Sequence, residues 1–272
     1  MMEIDALFDH LHILPSIPKV AQELIQQFDD PTSSIEEIAH NLSLDPVLSA
    51  KVLRLANSAR FRGVRPATSI EGAAIRLGFD ALRTLVLASA VTAAFRYNSS
   101  FDPRDFWQHS FDVASVCRVI AGQTGADRET AFTCGMLHNI GELLIRTAAP
   151  DIGTRIDAEQ RAPASVTPDQ AVGFGYPEVG AELARRWQLP LLIQEAIAYQ
   201  QHPQDAPNET GMARLVAQAR LVSFVLRRHG GINEQAKVAL VNPLLDDLDL
   251  ARLLEELPEI IEADKAFGTL IN

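Results

Sequence analysis

RDFWQHSFDVASVCRVIAGQTGADRETAFTCGMLHNIGELLI, residues 104–145, carries two successive helical patterns and sets the fold class. From about Arg104 to Gln123, the residues Phe106, His109, Val113, Cys117 and Ile120 fall on one helix face, which aims His109 toward the core. Asp127 then caps a helix running through Phe132, Met136 and His138 toward Ile145. On its face His138 has only small neighbours, Ala131, Cys134 and Gly135, so another helix can approach closely there.

Outward from this stretch the same periodicity recurs, and no run alternates apolar and polar residues between hairpin turns. The sequence therefore predicts an all-α, multi-helical bundle. Toward the N-terminus, Ser16 and Pro18 open a helix with Val20, Leu24, Ile25 and Phe28 on one face. Ser34 and Glu37 have the spacing of a capping box, and Asp45 precedes a helix with Pro46 at its first position. Ser69 starts a further run, interrupted at Gly78 and resuming to Phe95. Toward the C-terminus, a loop from Arg161 to Gly175 precedes helices from Pro177 to Trp187, from Leu189-Pro190, and from Gly211 to Arg228. The tail after Gly230 predicts two or three short acidic helices broken at Pro243 and Pro258. A polar linker at Tyr97–Pro103 divides an N-terminal helical subdomain, 1–100, from a second one, 101–230, and the acidic helical tail occupies 231–272.

The chain has 272 residues, 47% of them hydrophobic and 22% charged, which suits a globular protein that folds without staples. Its two cysteines, Cys117 and Cys134, form no metal-binding or C-x-x-C pattern, and buried reduced thiols in a cytoplasmic protein are expected. The first residues carry Glu3, Asp5 and Asp9, the wrong charge for a secretory signal. The most apolar stretch, Leu85–Phe95, is shorter than the ~20 residues a membrane helix needs, so no membrane association is expected. A net charge of −11 argues against nucleic-acid binding by the whole surface. One stretch is basic nonetheless, running from Lys51 through Arg54, Arg60, Arg62, Arg65 and Arg76 to Arg83, and a solvated helix surface is its simplest explanation.

The phrase Gly135-Met136-Leu137-His138-Asn139-Ile140-Gly141 resembles the G-x-L-H-D-I-G signature of HD-domain phosphohydrolases. Further phrases narrow the likeness: Leu14-Pro15-Ser16-Ile17-Pro18, Asp45-Pro46-Val47-Leu48, Val52-Leu53-Arg54-Leu55-Ala56-Asn57-Ser58-Ala59, Trp107-Gln108-His109-Ser110 and Trp187-Gln188-Leu189-Pro190. Over roughly Leu14 to Arg228 the chain is similar to the HDOD family, a degenerate branch of HD-like proteins associated with signalling.

The resemblance implies a remnant HD site at His109, His138 and Asn139, in which the amide of Asn139 replaces the metal-binding carboxylate. It sets Tyr176 where many relatives have a histidine, and aligns the last HD aspartate near Ser223. Two imidazoles and an amide make a poor site for Mg²⁺ or Mn²⁺. The expectation is therefore a regulatory module with no catalytic residue, no metal and no cofactor. It would bind a protein partner or small ligand of a signalling pathway, with a homo-oligomer left open. Lys51, Arg54, Asn57, Ser58, Arg60 and Arg62 are candidate ligand contacts. Two alternatives remain: a residual metal-dependent nucleotide phosphohydrolase or phosphodiesterase, and nucleotide or nucleic-acid binding through residues 51–83. A sharper reading of the histidines is a soft transition metal held by His109 and His138, with His202 available as a third imidazole.

Overall fold

Prolines and short polar side chains start most of the helices. The computed structural model describes residues 3–11, 15–30, 32–95, 97, 101–161, 172–208 and 210–268. Helix α1 (Ile4–His10) leads to α2 (Lys19–Asp29), α3 (Ile35–Ser43) and α4 (Pro46–Ala56). Ser34 and Glu37 close the capping box of α3 with hydrogen bonds of 3.2 and 3.1 Å. Asp45 Oδ1 accepts from the amides of Val47 and Leu48 at the start of α4. Each such cap stabilises its helix by about 1 kcal/mol.

Helices α2, α3 and α4 pack on α5 (Ile70–Ala94), which Ser69 caps and which changes direction at Gly78, where φ is 74°. By length and composition α5 is apolar enough to cross a membrane. In the fold it is a core helix: every residue from Ala81 to Val91 except Arg83 is buried.

The second half comprises α6 (Pro103–Thr124), α7 (Arg128–Leu137), α8 (Ile140–Ala148), α9 (Pro150–Arg161), α10 (Tyr176–Arg186), α11 (Leu191–Ala198), α12 (Thr210–Arg228), α13 (Glu234–Ala239) and α14 (Leu250–Gly268). Central to it is α6, against which α7, α12 and α14 all pack, while α8, α10, α11 and α12 follow one another around the bundle. Among the described residues there is no strand, and the fold is all-α.

Several elements differ from the sequence reading. The helix expected from Asp127 through to Ile145 ends at Leu137, and α8 begins only at Ile140. The His138 ring explains the break, because its Nδ1 lies 2.6 Å from the Gly135 carbonyl oxygen that a continuing helix would offer to the Asn139 amide. The sequence reading has no counterpart for helices α1 and α9. In the tail, Pro243 opens a single 3₁₀ turn, but Pro258 lies within the continuous α14. An interior proline costs about 3 kcal/mol. Burial of Leu253 and Leu257 before it and Asp264 beyond it, at 0%, 1% and 2% exposure, holds the helix through that position. Residues 98–100 of the expected linker and 162–171 of the expected loop lie outside the described residues.

The two halves are joined by specific contacts. Thr84 on α5 shares a buried 2.8 Å hydrogen bond with Thr133 on α7. Trp187 Nε1 donates to the Pro15 carbonyl at 3.0 Å, and Phe95 meets the Trp187 ring edge-on. The deepest junction is ionic. Arg118 on α6 pairs with Glu129 at 2.6 Å and with Asp264 of α14, while Arg60 reaches the same two carboxylates at 2.8 and 2.6 Å. Ser115 also donates to Asp264, and the Arg118 guanidinium lies over the Phe132 ring at 3.8 Å. In this cluster Arg118 and Asp264 are buried and Arg60 and Glu129 are partly so, and each buried charge has an opposite charge against it.

Candidate functional site

Two glycines bring together the helices that carry His109 and His138. A Cβ on Gly135 would stand 2.7 Å from Ala114 Cα and from Cys117 Sγ, so only glycine lets α7 lie this close to α6. A Cβ on Gly141 would collide with the Tyr176 carbonyl and with the Gly180 amide of α10. Between these contacts the His109 and His138 rings meet edge-to-face, 5.9 Å apart.

His138 is buried, and its Nδ1 donates to the Gly135 carbonyl in the tautomer that this contact requires. Burial, aided by the charge of Arg220, pushes its pKa down to about 3, so the ring is neutral at physiological pH. His109 faces outward more than its helical pattern predicts; it is half-buried and lines a groove. Burial lowers its pKa, with Arg227 and Arg220 acting in the same direction and Asp112 and Glu142 opposing. Its Nδ1 is buried without a hydrogen-bond partner among the described residues.

The Asn139 amide is engaged elsewhere, its Nδ2 donating to Glu142. From there a polar chain runs through Arg146 to Asp157 and Tyr176, whose hydroxyl donates to Asp157 Oδ1 at 2.7 Å. Tyr176 thus belongs to this chain. His202 is exposed, and the buried Ser223 does not line the groove.

On α12, Arg220, one turn before Ser223, acts electrostatically on both histidines, and the sequence reading missed it. Its Nη1 donates to the Gln200 carbonyl at 3.4 Å, and Gln200 Nε2 in turn donates to the His138 carbonyl at 2.6 Å. A divalent metal in an HD site needs anionic oxygen ligands. Here an amide tied to Glu142, two neutral imidazoles and a neighbouring guanidinium do not fit one. Among the described residues, no three His, Cys, Asp or Glu side chains are grouped to hold an ion.

Arg220 and His109 open into a groove of about 800 Å³ between α6, α12 and the segment after α11. Gln201, Arg214 and Phe224 also line it.

None of the six candidate contacts Lys51, Arg54, Asn57, Ser58, Arg60 and Arg62 lines this groove. Asn57 clasps the backbone of Ala67 through both amide atoms, at 2.8 and 2.9 Å. Arg60 is engaged in the buried ionic cluster, and Arg76 bonds the carbonyls of Arg65 and Ala56. Ser58 Oγ is buried without a partner among the described residues. Lys51 is half-buried, which lowers its pKa, while Arg54 and Arg62 are exposed.

A family model for the HDOD domain matches residues 14–203. The solved structure of a Shewanella amazonensis SB2B protein, provisionally named a phosphohydrolase, resembles this chain with a TM-score of 0.79 and 33% identity over 98% of each chain. A Marinobacter aquaeolei VT8 structure, provisionally named a signal transduction protein, has a TM-score of 0.69 and 23% identity, covering 97% of this chain and 61% of its own; that likeness concerns the fold alone. A curated Treponema pallidum (strain Nichols) protein, described as uncharacterized, is 29% identical over 210 residues. The match takes in 75% of this chain and only 40% of that relative's length.

Proposed function

Because the chain belongs to the HDOD domain family, we propose that it is a non-catalytic regulatory module of signal transduction, acting in the cytoplasm by binding a protein partner or small ligand. The observation that carries this reading is the guanidinium of Arg220 beside two neutral histidines, where a metal hydrolase needs carboxylates. A fixed cation next to the pair repels a metal ion and leaves no group to activate water. The buried thiols Cys117 and Cys134 fit a reducing compartment. A protein partner has the exposed surface around Arg62 available to it.

A second reading, residual phosphohydrolase activity, draws on the paired histidines and on the provisional name of the Shewanella relative. Assay of the full chain against bis-p-nitrophenyl phosphate with Mg²⁺, Mn²⁺ or Ni²⁺ separates the two. No turnover above the metal-only background is expected; metal-dependent turnover abolished by His138→Gln would overturn the non-catalytic reading. Nucleic-acid binding through residues 51–83 has less support, since Arg60 and Arg76 are held internally. Salt-dependent binding of an oligonucleotide would restore it.

A further inference from the structure

We propose that the groove beside the histidine pair binds a small organic anion, its oxyanion seated on Arg220 and its apolar body against Leu221 and Phe224. This inference rests on the non-catalytic reading and assigns a ligand class to it. Four observations converge. First, the groove is lined by Arg214 and Arg220 and by no carboxylate among the described residues, in a chain whose net charge is −11. Arg214 is already bonded to Asp247, at 3.1 Å, so the cation left to the groove is Arg220.

Second, Arg220 is half-buried, yet its one hydrogen bond is the 3.4 Å contact with Gln200, and no carboxylate pairs with it among the described residues. Glu142 acts on it only at longer range. A guanidinium offers five N–H donors in a planar fork that matches an oxyanion. Desolvating it without an anion is costly, and a bound oxyanion removes that cost. Third, the His109 ring lines the same wall, with its Nδ1 buried behind the groove surface and unpartnered among the described residues. Fourth, about 800 Å³ is organic-ligand size, larger than a lone phosphate requires, and Phe224, 57% exposed, provides an apolar wall.

Phosphate and carboxylate share this chemistry, and a titration distinguishes them. Calorimetry on the full chain would compare phenyl phosphate, benzoate, inorganic phosphate and the neutral benzyl alcohol. The expected result is that phenyl phosphate or benzoate binds, inorganic phosphate binds more weakly, and benzyl alcohol does not bind. Arg220→Gln should weaken the aromatic anion at least about tenfold, the loss of one charged contact. If Arg220→Gln fails to fold, Phe224→Ser carries the test, since that side chain is exposed: it should weaken phenyl phosphate and leave inorganic phosphate unchanged. No anion binding to the wild type, or equal binding to the folded variants, would overturn the inference. Stoichiometric metal in the wild type would instead overturn the non-catalytic reading, so the two failures are distinguishable.

Discussion

His138 sets a pH dependence that can be read in stability. In the fold its pKa is pushed down to about 3 by burial, whereas the unfolded chain takes up the proton near 6.5. Below 6.5 the unfolded state therefore binds more protons, and stability is full above about that pH and falls as pH drops toward 3. The slope is about 1.4 kcal/mol per pH unit, or about 2 kcal/mol between pH 6.5 and 5. Urea unfolding at pH 7, 6 and 5 should show that loss in the wild type and a shallower one in His138→Gln; equal slopes would contradict a neutral, buried His138. Asp264 offers a second test at this scale. Truncating it to alanine removes one of the carboxylates that Arg118 and Arg60 share, and the expected loss is about 3 kcal/mol in chemical denaturation. Neither Arg118 nor Arg220 was legible in the sequence, because a cation within an amphipathic helix ordinarily faces solvent. The acids that bury Arg118 lie 11 and 146 positions away, and only tertiary packing brings them together.

At the level of elements, the α6–α7 contact depends on Gly135. A methyl group there must displace Ala114 or Cys117, and Gly135→Ala should cost about 1–3 kcal/mol, detectable as a lower melting temperature with little change in helical content. This close approach was legible in the sequence, as were the caps at Ser34, Asp45, Ser69 and Asp127, because each follows from local chemistry. The break at His138–Asn139 was not, since it depends on an imidazole taking a backbone carbonyl. The continuity of α14 through Pro258 was hidden for a related reason: local propensity opposes it, and distant anchoring outweighs that propensity. For the remnant site, the sequence pointed to His109, His138 and Asn139. It could not show that Asn139 bonds to Glu142, or that Arg220 of α12 acts on the histidines.

For the whole molecule, the junctions between the halves predict cooperative unfolding. With Trp187 bonded to Pro15, Thr84 to Thr133 and Arg60 within the buried cluster, calorimetry of the full chain should show one transition, and two resolved transitions would mean that the halves unfold independently. The histidine pair has a guanidinium where a metal site needs carboxylates, and metal content by mass spectrometry reads the consequence. Wild type, Asn139→Asp and Asn139→Asp/Arg220→Asp would each be equilibrated with Mn²⁺ or Ni²⁺ and desalted. The wild type should be metal-free, Asn139→Asp should still lack stoichiometric metal while Arg220 remains, and metal should be taken up only once that cation is replaced. Stoichiometric metal in the wild type would contradict this expectation.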